Sequence, residues 1–199
     1  MKIIKDCIQG SDEWMKWRTA SIGGSSITYV LGKGKGRKDL MYKLAAETLT
    51  GKKEDSYSNA NMLRGIEYEP EARNYYEIVT GHEVEQVALI KSDIPGIHVS
   101  PDGLVGDDGA VEIKTRLPHV FVEKKDTGKI EIGYSRQCQY TLWIAERQWI
   151  DFCDYCPEME DCMLITRLYR DEKMIKGMRV ETTLFLKELA DLVSRMKKP

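Results

Sequence analysis

An α/β (α+β) domain, with a central mixed β-sheet flanked by helices, is what the sequence predicts. Three observations predict it: helical periodicity runs to about residue 80, period-two patterning begins at His82, and the chain closes on a helix, two strands and an amphipathic helix. The 199 residues, 42% of them hydrophobic, suit one compact domain spanning 1–199.

Each element has a local cause. Ser11 is placed to N-cap a short helix over Asp12 to Arg18, which sets Trp14 and Arg18 one turn apart on one face. Ile22-Gly23-Gly24 marks a turn, after which Ser25 or Ser26 can cap a second short helix. The run Gly32-Lys33-Gly34-Lys35-Gly36-Arg37-Lys38 reads as a flexible basic loop, and Asp39 to Thr50 as a helix stopped by Gly51. A longer helical pattern covers roughly Asn59 to Thr80, with Pro70 expected to kink it or start its second half. Short strands are expected at Val84 to Ile90, His98 to Ser100, Leu104-Val105 and Ala110 to Thr115. The last two are joined by the turn Gly106-Asp107-Asp108-Gly109. A helix near Ile132 to Arg147, strands at Trp149 to Tyr155 and Leu164 to Tyr169, and a helix from Glu172 to Lys197 complete the pattern.

Composition narrows the function classes. No apolar run is long enough to span a bilayer, and the first residues lack the apolar stretch of a secretory signal. The expectation is a cytoplasmic protein. The net charge of -2 argues against a uniformly basic nucleic-acid binder. Its distribution is uneven, however: residues 1–38 hold eight Lys/Arg against three Asp/Glu, so a basic N-terminal segment joins an acidic body. The five cysteines, an odd number, read as reduced thiols.

The chemistry concentrates in Pro101-Asp102-Gly103 and, across the turn, Glu112-Ile113-Lys114. Strand alternation points Val111 and Ile113 one way and Glu112 and Lys114 the other. The turn folds the second strand back towards Asp102. Two carboxylates beside a lysine suit metal-assisted phosphodiester hydrolysis: the carboxylates hold Mg²⁺, which prefers oxygen ligands, and the ion acidifies a bound water. The carbonyl of Ile113 can add a ligand. Lys114 can orient or deprotonate the water, with nearby cations expected to depress its pKa. An ordinary hairpin with a surface Glu/Lys face is the plainer alternative. Upstream, Glu69 sits on the apolar stripe Leu63, Ile66, Ala72, Tyr76, Val79, where an inward carboxylate needs a partner. Either a metal or Arg73, one turn on, can serve.

Together these residues resemble the lambda-type phage recombination (alkaline) exonucleases of the restriction-endonuclease-like PD-(D/E)xK superfamily. The resemblance rests on Gln9-Gly10-Ser11-x-x-Trp14-x-x-x-Arg18 with Ile22-x-x-Ser25, Gly65-x-x-Tyr68-Glu69 with Ala72-Arg73, Ser100-Pro101-Asp102-Gly103, Glu112-Ile113-Lys114 and Gln137-Cys138-Gln139-Tyr140. It implies a restriction-endonuclease-like fold and a Mg²⁺-dependent enzyme with two ions, for which Mn²⁺ can substitute. Such an enzyme degrades one strand of duplex DNA from its 5′ end and leaves a 3′ single strand for an annealing protein. It also implies a ring-shaped homotrimer and a phage or prophage protein in a bacterial host.

The resemblance further assigns Asp102, Glu112, Lys114, Glu69 and Gln137 to catalysis. Asp102, Glu112, Ile113 and Glu69 would be metal ligands. Arg18, Ser25 and Ser100 would form a 5′-phosphate pocket, and a guanidinium fork beside a hydroxyl near a helix start is a sound phosphate cradle. Tyr134, one turn before Gln137, is a DNA contact or a core aromatic. Lys33, Lys35 and Arg37 are expected DNA contacts, because their glycine-rich loop lacks the spacing of a nucleotide-binding P-loop. Cys153-x-x-Cys156 with Cys162, and Cys7 as the upstream candidate, invites an iron–sulfur cluster, but the lambda-type enzymes need none. His82, His98 and His119 show no metal-ligand spacing, and Met41, Met62 and Met163 read as core. An endonuclease acting at nicks, flaps or specific sites, or a non-enzymatic DNA-end-binding module, are the alternatives.

Overall fold

The structure is a computed structural model, and it describes residues 1–54 and 60–197. Its elements run β1 (Lys2–Ile4), α1 (Asp12–Arg18), α2 (Ile27–Leu31), α3 (Lys35–Thr50), α4 (Ala60–Thr80), β2 (Val84–Glu85), β3 (Leu89–Lys91), β4 (His98–Val99), β5 (Gly103–Val105), β6 (Gly109–Thr115), α5 (Pro118–Thr127), α6 (Ile132–Ile144), β7 (Trp149–Tyr155), β8 (Met163–Tyr169) and α7 (Glu172–Met196). A single 3-10 turn, Gly24–Ser26, precedes α2.

The main sheet has five strands in the order β2-β5-β6-β7-β8. Only β6 and β7 pair in parallel, and α5 with α6 makes the crossover that parallel pairing demands. The mixed sheet expected from sequence is therefore present. A second sheet, β1-β3-β4, accompanies it.

Both faces of the sheet are buried along its central strands β5, β6 and β7, and strand alternation divides them. Leu104, Ala110, Ile150 and Phe152 face the larger core, which they share with Leu44, Tyr140, Leu142, Phe185 and Leu189 from α3, α6 and α7. Val105, Val111, Ile113, Cys153 and Tyr155 face the other way, onto Ala72 and Tyr76 of α4. The parity that sends Ala110 into the larger core also sends Glu112 and Lys114 to that side. Asp151, on the opposite parity and 1% exposed, accepts a bidentate pair from Arg167 at 2.8 Å each and a hydrogen bond from Tyr76 at 2.7 Å.

Several expectations change. The stretch Val84 to Ile90 is two strands in different sheets, because Gln86 to Ala88 crosses between them. The basic loop 32–38 is shorter than expected, since α3 begins at Lys35: an ion pair with Asp39 across one turn and Arg37–Glu188 pairing to α7 outweigh the glycines. Helix α4 runs unbroken through Pro70, and its expected start at Asn59 lies outside the described residues. Leu63, Ile66 and Val79 on α4 are 58%, 71% and 49% exposed, so the stripe is a core stripe only at Ala72 and Tyr76. Met62 is likewise exposed, whereas Met41 and Met163 are core. Neither Ser25 nor Ser26 makes a side-chain cap. Strand β1 and helix α5 were not anticipated, although Pro118 at the start of α5 and Gly128 at its end are ordinary helix punctuation. No helix among the described residues is long and apolar enough to cross a membrane.

Phe152 joins the sheet to the larger core and is fully buried. Phe152→Ala should cost about 3–5 kcal/mol. Urea denaturation that gave the same midpoint as the wild type would contradict this packing.

Candidate active site

The pairing of Gly103 with Val111 brings the residue before Gly103, Asp102, alongside Glu112. One Asp102 carboxylate oxygen accepts the Ile113 backbone N–H at 2.6 Å, and the Asp102 carbonyl accepts from Arg73 Nε at 3.1 Å. The loop carrying Asp102 is thus tied to both β6 and α4. Glu69, one turn before Arg73, forms an ion pair with it. The inward carboxylate expected at this position is there, and so is its Arg73 partner.

Glu112 is 2% exposed. Its Oε1 accepts from Lys114 Nζ and from the Gln137 amide of α6. Its Oε2 is buried and has no hydrogen-bond partner. A buried carboxylate oxygen without a donor is costly unless something positive meets it. That orphan oxygen, with Asp102 and Glu69 adjacent, is a donor set suited to a hard divalent cation. Among the described residues no three His, Cys, Asp or Glu side chains converge on one point as a ready metal site; Glu112 meets the ammonium of Lys114 through Oε1.

Electrostatics follow burial. Desolvation, reinforced by Asp102, pushes both Glu69 and Glu112 up to about 7, against the opposing pull of Arg73 on the first and Lys114 on the second. Native-state affinity for protons is therefore higher than in the unfolded chain, so these groups cost stability as pH rises from about 4.5 towards 7. Lys114 behaves opposite to expectation. Burial acts to lower its pKa, but Glu112 and Asp102 outweigh it and hold the ammonium well above its usual range. The two carboxylates, not neighbouring cations, set its titration.

Tyr134 is half-buried. Its ring packs on Phe152 with centroids 5.4 Å apart, under Lys114 at 5.8 Å and Arg116 at 4.8 Å. Arg116 is itself paired with the buried Asp154.

A cleft of about 1120 Å³ adjoins this cluster. It is lined by Asp102, Glu69 and Arg73 at one end and by Arg18, Ser21 and Ser25 at the other, with Lys5, Lys43 and Lys53 along its walls. The guanidinium of Arg18 lies 3.8 Å over the Trp14 ring, as their one-turn spacing predicts. Burial lowers its pKa to about 10, which leaves it charged at neutral pH. Ser100 places a buried hydroxyl without a partner close in sequence to Asp102. The structure thus brings Arg18, Ser25, Glu69 and Asp102 to one cleft, with Glu112 alongside Asp102 and bonded to Lys114 and Gln137.

It does not bring Lys33, Lys35 and Arg37 there. Arg37 is committed to Glu188 and lies 5.0 Å over the Phe185 ring, and Lys35 is paired with Asp39. The cleft cations are Lys5, Lys43 and Lys53 instead. No spacing rule singled them out, because Lys43 lies within α3 while Lys5 and Lys53 lie in the segments that follow β1 and α3. Cys153 and Cys138 are fully buried in the core, and Cys156 bonds by its backbone N–H to the Cys162 carbonyl across the β7–β8 hairpin.

A family model for the YqaJ-like viral recombinase domain matches residues 13–148. The structure of an alkaline exonuclease (LHK-Exo) from Laribacter hongkongensis is similar to this chain at 37% identity, with a TM-score of 0.89 over 94% of this chain and 96% of that one. The structure of LHK-Exo in complex with dAMP matches equally well. A phage related exonuclease from Haemophilus somnus 129PT, at 14% identity and a TM-score of 0.70 over 90% of this chain and 97% of that one, shares the fold. A search of curated proteins returns no match.

Because Glu69 and Glu112 hold protons up to about pH 7, a bound cation must displace them. Mn²⁺ affinity, measured by titration calorimetry, should rise about tenfold per pH unit for each proton displaced up to about pH 7 and level off above it. Glu69→Gln should remove one proton from that dependence. Equal affinities at about pH 6 and about pH 8 would contradict the assignment.

Proposed function

The chain belongs to the YqaJ-like viral recombinase domain family, and from that premise we propose that it is a Mg²⁺-dependent exonuclease of double-stranded DNA. In this reading it removes one strand from its 5′ end and leaves a 3′ single strand for recombination by annealing. Family membership and the 37% likeness to an alkaline exonuclease support the class, a DNA exonuclease acting in recombination. The observation that carries the finer reading is the arrangement around the cleft: Asp102 and Glu69 line it together with Arg18 and Ser25, and Glu112, bonded to Lys114 and Gln137, lies alongside Asp102.

Asp102, Glu112 and Glu69, with the Ile113 carbonyl, are the oxygens that would hold Mg²⁺. When bound, the ion supplies a Lewis acid that offsets phosphate charge and lowers the pKa of water. Lys114 stays protonated beside Glu112, so its part is to orient the attacking water or the scissile phosphate by a charge-assisted hydrogen bond. Gln137 holds one Glu112 oxygen, and its remaining amide N–H can meet a phosphate oxygen. Tyr134 supports the Lys114 side and can stack against the strand.

Arg18, Ser25 and Ser100 would hold the 5′-phosphate. Lys43, which lines the cleft, with Lys5 and Lys53 where phosphate displaces their Glu85 and Glu47 partners, would follow the backbone along the cleft, which Lys35 and Arg37 do not line. The Laribacter hongkongensis enzyme is known in complex with dAMP, a deoxynucleoside monophosphate, which fits a pocket for a single nucleotide phosphate. A homotrimeric ring belongs to the same reading, since it would gather three basic N-terminal segments around one channel and reconcile DNA binding with a net charge of -2.

End-labelled linear duplex should be digested with Mg²⁺ while covalently closed circular duplex stays intact. Cleavage of the circle would favour an endonuclease. Lys114→Ala should lower the cleavage rate by at least about 10²-fold and leave duplex binding in place. Arg18→Ala should reduce the preference for 5′-phosphorylated over 5′-hydroxyl ends by about tenfold or more, and equal wild-type rates on the two ends would remove the pocket from the proposal.

A further inference from the structure

In the sequence His98 shows no metal-ligand spacing. The structure places it on β4 beneath the Arg18 end of the cleft, 2% exposed. Arg18 Nε lies 3.2 Å from His98 Nε2, and Ser21 Oγ lies 2.8 Å from His98 Nδ1. A guanidinium can only donate, so Nε2 must be the acceptor and carries no proton. The ring proton is then on Nδ1 and is donated to Ser21 Oγ. The imidazole is neutral throughout the physiological range, because burial first, then Arg18, Lys53 and Lys91, lower its pKa to about 3.

This tautomer orients both neighbours. Arg18 is held on its face by Trp14 and at Nε by His98, and its Nη nitrogens remain for a ligand. Ser21, with its oxygen occupied by the His98 proton, keeps its own hydroxyl proton to donate, and it lines the cleft. The backbone beneath is over-determined. Ala20 sits at φ +53°, an uncommon conformation for a residue with a Cβ, and its N–H is held by buried Glu47 at 2.8 Å. Ile22 is stapled to the segment before His98 by Ile22 N–H to Gly96 carbonyl at 2.8 Å and His98 N–H to Ile22 carbonyl at 3.0 Å. At Gly23 a Cβ would lie 3.1 Å from His98 Nε2, so glycine leaves the imidazole its place.

We propose that His98 is a positioning residue for the 5′-phosphate pocket and that Ser21 is a further phosphate donor in it, the buried imidazole aiming the Arg18 fork and the Ser21 hydroxyl together. This rests on the reading of Arg18 as the phosphate grip. A purely structural His98 would change digestion of all ends alike, whereas a positioning role changes the discrimination between ends.

The test is the ratio of kcat/KM on 5′-phosphorylated and 5′-hydroxyl duplexes for the full chain with Mg²⁺. His98→Phe, which removes both hydrogen bonds, should lower that ratio about tenfold and change the rate on 5′-hydroxyl ends little. His98→Gln, which can offer an acceptor to Arg18 but not a proton to Ser21, should fall between His98→Phe and the wild type, as should Ser21→Ala. Melting curves identify which variants are folded; if His98→Phe is not, His98→Gln and Ser21→Ala decide. Folded variants with the wild-type ratio, beside an Arg18→Ala control that has lost it, would overturn the proposal. An Arg18→Ala control that keeps the wild-type ratio would instead overturn the phosphate grip on which the proposal rests.

Discussion

Strand β6 has no solvent side. It is the middle strand of five, its odd residues pack against α4 and its even residues face the larger core, so a carboxylate at position 112 has nowhere to go but inward. Burying a charge costs free energy unless it is paired. The site's other features answer that cost. Lys114 and Gln137 converge on one oxygen of Glu112, while the other oxygen is left without a donor. The raised pKa of Glu112 and the firmly protonated Lys114 are two consequences of the same burial.

Under the proposed reading, stability and function are opposed at this one position. A well-packed apolar side chain at position 112 would relieve the burial of charge, but it would remove the group whose unmet oxygen suits a cation. Around it the fold invests in rigidity. Asp102 is tied by its carboxylate to β6 and by its carbonyl to Arg73, so the carboxylate pair is held by backbone hydrogen bonding as well as by side-chain packing. The parallel pairing of β6 with β7 over seven residues adds a second restraint, and Phe152 on β7 supports the ring of Tyr134 beneath Lys114.

The Arg18 end of the cleft uses a different device. Its restraints are a cation–π stack, a neutral imidazole and a strained turn, drawn from α1, β4 and the connection between α1 and α2. Keeping His98 neutral avoids placing another positive charge beside Arg18, Lys53 and Lys91, so the floor of the cleft is spared further self-repulsion.

Much of this was legible in one dimension. Period-two alternation assigned Glu112 and Lys114 to one face, the Gly106–Gly109 turn returned β6 to Asp102, and four-residue spacing stacked Arg18 on Trp14 and paired Glu69 with Arg73. Local patterns can carry such information because their partners lie within one turn or one hairpin. What they could not carry was contact between distant segments. Arg37 looked like a free basic residue until α7 brought Glu188 to it, and Lys43 and Lys53 had no motif until the cleft gathered them. His98 meets Arg18 only because the fold sets it 3.2 Å from a residue eighty positions earlier. Lys114 kept its proton because the sheet placed Glu112 and Asp102 beside it. Sequence periodicity determines which side of a strand or helix a residue occupies; only the tertiary structure decides what stands opposite, and so which charges are matched and which are left for a ligand.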